Sequence, residues 1–173
     1  MGQSRQRADS SASASPPNRI LFVDDSAAVR EASAKVLICS GYHVDVAEDG
    51  EAGWKALHAA RYDLLITDHN MPKLSGVELV KKLRSAHMNL PVVLASGVLP
   101  TEELKQNPWL QLAATLLKPF TIHELQGTVR AALSAAATPA SAQYLASRVL
   151  VEAVIPVETL PRWRGHAPLG VAK

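Results

Sequence analysis

Leu64-Leu65-Ile66-Thr67-Asp68-His69-Asn70-Met71-Pro72 is the stretch that decides the fold. An apolar run passes without interruption into a carboxylate, and the chain then turns at Met-Pro ahead of Gly76. Short unbroken apolar runs suit strands covered by helices on both faces, as in a parallel sheet. Working outward, Ile20-Leu21-Phe22-Val23, Val92-Val93-Leu94-Ala95 and Ala113-Ala114-Thr115-Leu116-Leu117 repeat the pattern. Each again stops at a group able to do chemistry: Asp24-Asp25, Ser96 and Lys118-Pro119 respectively. Val44-Asp45-Val46 is shorter and alternates, as an edge strand with one less buried side would.

The intervening segments carry helical spacing and start signals. Ile122, Leu125, Val129 and Leu133 fall on one predicted stripe, and Thr121 with Glu124 makes a capping box ahead of it. Ser75 and Glu78 repeat the box before Val77, Val80 and Leu83, and Gly41 stands where the first helix needs a left-handed residue to end. A helix after every strand makes the crossovers right-handed and the sheet parallel. The expected fold class is therefore α/β: a flavodoxin-like, doubly wound sheet of five parallel strands in the order 2-1-3-4-5 with five helices, over residues 19–133.

The ends read differently. Residues 1–18 are rich in Ser, Ala, Gln and Arg and close on Pro16-Pro17, the composition of a disordered arm rather than a secretory signal. Residues 134–173 form a tail, expected to be partly disordered, with one apolar stretch at 144–157 that suits a short helix or strand. The whole chain has 18 Lys and Arg against 16 Asp and Glu, and the small excess of positive charge sits in the two ends, leaving the middle net acidic. No basic stripe tracks a nucleic-acid backbone, and no run reaches the roughly 18 apolar residues of a membrane span. Cys39, the single cysteine, is expected to be a buried structural thiol in a cytoplasmic protein.

In a parallel sheet the strand ends converge on one edge, where such sheets bind ligands. Three carboxylates, a hydroxyl and an ammonium would meet there. Adjacent Asp24 and Asp25 repel by roughly 4 kcal/mol at about 4 Å and an effective dielectric near 20, a cost that a hard divalent cation removes. Read alone, Asp24-Asp25 beside Ser26 would be a helix N-cap, Asp68 a turn residue, Ser96 a cap and Lys118 a solvated charge. His69 should alternate away from Asp68 and serve packing or the surface. Trp109, before the last strand, is expected to pack or to anchor its loop rather than to supply an aromatic to the face of that strand.

The set, in this order and with Asp68-x-x-Met71-Pro72 followed by Gly76, resembles the receiver domain of two-component response regulators. That resemblance implies that Asp68 accepts a phosphoryl group from a histidine kinase or histidine phosphotransfer protein. It implies Mg²⁺ bound by Asp25 and Asp68, with Asp24 acting through water and the backbone carbonyl of Asn70 completing the site. Ser96 would donate to the phosphoryl oxygen, Lys118 would pair with Asp68 at rest, Gly97 would leave the approach open, and Lys118-Pro119 would be cis. Thr115 departs from the pattern, for it stands where receivers carry the aromatic residue of the output switch.

A stand-alone phosphoacceptor that signals to a downstream protein, without turnover on an external substrate, is the reading these residues favour. An acid-phosphatase-like enzyme would need an Asp-x-Asp motif on the first strand. A transcription factor would need a helix-turn-helix pattern, which residues 134–173 lack, so no specific nucleic-acid partner is expected. A phosphorylation-independent interaction module and a phosphate sink in a relay are the alternatives.

Overall fold

The computed structural model describes residues 17–137, so the expectations for the arm before Pro17 and the tail after Ala137 fall outside the described residues. In chain order the elements are β1 (Arg19–Val23), α1 (Ala27–Cys39), β2 (His43–Ala47), α2 (Gly50–Ala59), β3 (Leu64–Asp68), α3 (Gly76–Ser85), β4 (Val92–Ser96), α4 (Thr101–Gln106), a 3-10 turn at Pro108–Leu110, β5 (Ala114–Leu117) and α5 (Ile122–Ala137). The five strands are parallel in the order β2-β1-β3-β4-β5, the expected topology.

Pleating divides the central strands between two cores. Leu21, Val23, Leu65, Val92 and Leu94 face α2 and α3, packing on Leu57, Val77, Val80 and Leu83. Ile20, Phe22, Leu64, Ile66, Val93 and Ala95 face α1 and α5, packing on Leu37, Leu125, Val129 and Ala132. β1, β3 and β4 are thus buried on both faces, which is why their sequences are uninterrupted apolar runs.

The helix signals act as read. Ser75 and Glu78 form a reciprocal capping box, as do Thr121 and Glu124, and Gly41 takes φ +91° just past α1. Lys118-Pro119 is a cis peptide bond.

Three expectations are corrected. Cys39 is exposed: the inward face of α1 carries Ser33 and Leu37, one turn apart, and Cys39 lies two residues on, across the helix. The inward stripe of α5 is Leu125, Val129 and Ala132, leaving Ile122 57 % exposed in the first turn. β5 begins at Ala114 and is not covered on both faces, since Thr115 and Leu117 are exposed. The reason is the short α4, six residues of which none is buried, so the sheet edge beside it stays open. The 3-10 turn was not foreseen; Trp109 within it donates its indole N–H to Asn107 Oδ1 at 3.2 Å, the loop-anchoring role.

Candidate functional site at the carboxyl edge of the sheet

Strand alternation explains which side chains meet. Asp24 continues the Ile20–Phe22 side of β1, Asp68 the Leu64–Ile66 side of β3, and Lys118 the Leu116 side of β5, so all three project over the α1–α5 face. Register puts them at neighbouring levels: Val23 pairs with Thr67, and Asp68 with Ala95. Lys118 then bridges the two acids, donating to Asp24 Oδ2 at 2.6 Å and pairing with Asp68 Oδ1 at 2.7 Å.

Asp24 is wholly buried and Asp68 5 % exposed, so the ammonium neutralises charge that water does not reach. Burial opposes the charge on Lys118, but the hydrogen bonds to Asp24 and Asp68 outweigh it and hold its pKa above the ordinary lysine value. The pairing with Asp68 matches the sequence expectation; the equally short one with Asp24 was not foreseen. Asp24 is held further by the Ser26 N–H, which donates to its Oδ1 at 3.0 Å, and by Arg30, whose Nη1 donates to its backbone carbonyl at 2.6 Å. The helix-cap reading of the acidic pair is not realised, for Ser26 is the N-cap and makes no side-chain cap bond; Asp24 serves the turn before α1, while Asp25 is exposed.

The loop from Asp68 to α3 is closed tightly. His69 N–H donates to Ala95 O at 2.8 Å, and Gly76 N–H returns to His69 O at 3.0 Å. A Cβ at position 76 would overlap the carbonyl oxygen of Asp68, so glycine there lets the head of α3 sit against the acceptor residue's own backbone. His69 is half-buried with Nδ1 enclosed and without a hydrogen-bond partner among the described residues, a packing position rather than an acid or base beside Asp68.

Ser96 is buried, and its hydroxyl is engaged by the connection to α4, donating to Val98 O and accepting from Val98 N–H. Gly97 is exposed and an added Cβ would meet nothing within 4 Å, so the approach beside Ser96 is open. Thr115 lies exposed on β5, on the side opposite Leu116.

The donor set suits a hard divalent cation. Among the described residues the Asp25 carboxylate, Asp68 Oδ2 and the Asn70 carbonyl accept no hydrogen bond, so these three residues offer four unspent oxygens. No group of three or more His, Cys, Asp or Glu side chains forms a ready-made cage among the described residues. Magnesium does not need one, since it binds through one or two carboxylates and keeps several waters.

Comparison with known proteins agrees with this geometry. The family model described as Response regulator receiver domain matches residues 20–130. Among curated relatives, Response regulator MprA of Mycolicibacterium vanbaalenii is 30 % identical over 157 residues, 91 % of this chain and 68 % of the relative. Response regulator MprA of Mycobacterium bovis is 34 % identical over 130 residues, covering 75 % of this chain and 56 % of the relative, so the chain spans little more than half the length of that protein. Among solved structures, chemotaxis response regulator CheY4 of Vibrio cholerae superposes with a TM-score of 0.61 at 30 % identity, covering 66 % of this chain and 97 % of its own. Response regulator protein TrrA of Thermotoga maritima, solved in complex with Mg²⁺-BeF, gives 0.59 at 31 % identity over 65 % of this chain and 96 % of its own. Five parallel strands in the order 2-1-3-4-5, with the acids and the lysine on one edge and a matching family model, place the chain in the response regulator receiver family of two-component systems, with the CheY-like fold.

Proposed function

We propose that the chain is a phosphoacceptor: Asp68 takes a phosphoryl group from a phosphohistidine on a histidine kinase or phosphotransfer protein, and a downstream protein reads the changed surface. The observation that carries this reading is the Lys118 ammonium bridging two buried carboxylates, one of which, Asp68, keeps an oxygen free of hydrogen bonds among the described residues. In the transfer one Asp68 oxygen attacks phosphorus while the other stays available to a cation, the P–N bond breaks, and its electron pair stays on the donor imidazole, which takes up a proton. Lys118 moves its hydrogen bond from Asp68 to a phosphoryl oxygen, and Ser96 trades the Val98 carbonyl for another.

Asp25, Asp68 and the Asn70 carbonyl would hold Mg²⁺, with Asp24 acting through water. The ion supplies charge neutralisation that lets an anionic donor approach a carboxylate. The Mg²⁺-BeF complex of the Thermotoga relative supports this assignment. The chemistry is stoichiometric acceptance and slow self-dephosphorylation rather than enzymatic turnover. The reading is of a signalling protein working in the cytoplasm.

One observation favours a second reading. With Thr115 small and exposed, no ring is available to turn inward when Ser96 moves, which suits a phosphate sink in a relay or an interaction module better than a strong switch. Phosphotransfer from a panel of purified, radiolabelled phosphohistidine donors separates phosphoacceptance, by a switch or a sink, from the interaction module. Label should pass from at least one donor to this chain only with Mg²⁺ present. Retention of all label on every donor would overturn the phosphoacceptor reading and leave the interaction module.

A further inference from the structure

We propose that Asp49 is a positioning residue for the phosphoacceptor loop, holding residues 69–75 in place through Lys73. Asp49 is the N-cap of α2 and is 3 % exposed; its Oδ1 accepts the Ala52 N–H at 2.7 Å and its Oδ2 accepts from Lys73 Nζ. Capping needs one acceptor oxygen, and Asn or Ser supplies it as well as Asp does. The second oxygen and the negative charge are therefore surplus to the helix, and they are spent on the loop that follows Asp68.

Lys73 shows what the loop requires. It adopts φ +66°, a region that non-glycine residues rarely occupy and keep only where surrounding contacts dictate it. Its side chain is half exposed, yet it reaches back to a carboxylate that is nearly sealed from water. The adjoining backbone is seated on the same helix end: a Cβ at Gly50 would overlap the carbonyl oxygen of Leu74. Leu74 N–H closes a tight turn onto Pro72 O at 2.8 Å.

The end of β2, two residues before Asp49, also touches the other acidic loop, for Ala47 accepts the Asp24 N–H at 3.2 Å. The connection from the end of β2 to the start of α2 thus meets both the loop after β1, with Asp24 and Asp25, and the loop after β3, with Asn70. The hydrogen bond from Lys73 is the chief cause holding the Asp49 carboxyl below the ordinary carboxylate range, so the pair is charged at neutral pH. This inference rests on the reading that Asn70 and the carboxylates hold Mg²⁺.

The test uses the full chain and two substitutions. Asp49→Asn keeps the shape and the cap but loses the charge; Lys73→Met keeps the backbone strain but loses the ammonium. Mg²⁺ titration followed by calorimetry should show each weakening the ion's affinity by about tenfold, the usual scale for outer-shell partners of a metal site. The double variant should be no weaker than either single one, because both remove the same contact. Amide hydrogen exchange at Leu74 and Gly76, measured without metal, should quicken in both while exchange in β3 does not.

Unchanged Mg²⁺ affinity in both single variants would overturn the proposal. A native chain that binds no Mg²⁺ would defeat the metal reading instead, and unchanged exchange at Leu74 and Gly76 would then count against Asp49 on its own. If Asp49→Asn fails to fold, Lys73→Met carries the same comparison from the surface side.

Discussion

Lys118→Met is expected to lower the stability of the metal-free protein by about 3 kcal/mol and to recover much of that loss when Mg²⁺ is added. Lys118 lies within hydrogen-bond distance of both Asp24 and Asp68, which are almost wholly buried. Met fills similar space but leaves two carboxylates facing each other without a counter-charge. A divalent cation restores the positive charge, so the deficit should shrink with Mg²⁺ concentration and remain with Na⁺ at equal ionic strength. The ammonium's pKa is raised in the folded chain, so its stabilisation is fully present below the unfolded lysine value and is lost as pH rises through the folded one. The gap between native protein and variant should therefore persist through neutral pH and close only in strong alkali. Denaturant unfolding at several Mg²⁺ concentrations is the measurement; a variant as stable as the native chain without metal would show that Lys118 does not carry the neutralisation.

Arg84→Met should cost about 3 kcal/mol by a different route and show no response to Mg²⁺. The guanidinium of Arg84, near the end of α3, meets four backbone carbonyls: Leu110 at 2.9 Å, Met88 at 2.8 Å, Leu90 at 2.9 Å and Gln111 at 3.1 Å. Those carbonyls belong to the turn after α3, the approach to β4 and the 3-10 segment before β5, so one side chain ties together three stretches without regular structure. Burial pushes the pKa of Arg84 down, and the planar fork of donors compensates through geometry that Lys cannot reproduce. Arg84→Lys should accordingly recover only part of the loss. The expected signature in urea is a lower midpoint with an unchanged slope. A loss within about 0.5 kcal/mol, the range of ordinary surface changes, would contradict the clamp.

The parts of the fold that could be read from the sequence are those in which one physical cause acts alone. β1, β3 and β4 are buried on both faces, so composition by itself marks them, and β2 alternates because it is an edge. β5 has an apolar sequence but an exposed face, because the length of α4, not the residues of β5, decides what covers it. Cys39 was misread for a related reason: an apolar neighbourhood such as Leu37-Ile38 does not say which side of α1 faces inward, and Ile38 is itself 54 % exposed.

At the candidate site, residue types and order pointed to Asp24, Asp68 and Lys118, each at or just after the end of a strand, and the structure brings these three together. What they did not disclose is how the charges share partners. That Lys118 serves Asp24 as well as Asp68 follows from strand register, and that Ser96 rests on Val98 follows from the path of the next loop. Arg84 and the pair Asp49–Lys73 carry no motif, because their partners are backbone carbonyls or a residue 24 positions away. Acidic residues before a helix and basic residues near its end are ordinary helix signals and hide such roles.

The most direct test of the account is to locate the phosphoryl group itself. The full chain is incubated with a small acyl phosphate donor and Mg²⁺, the aspartyl phosphate is reduced with borohydride, which converts the modified residue to homoserine, and the peptides are read by mass spectrometry. The account predicts a single modification, at Asp68, absent without Mg²⁺, abolished in Asp68→Asn and weakened in Asp25→Ala. Full labelling of the Asp68→Asn protein, or homoserine at any other position in the native chain, would contradict it.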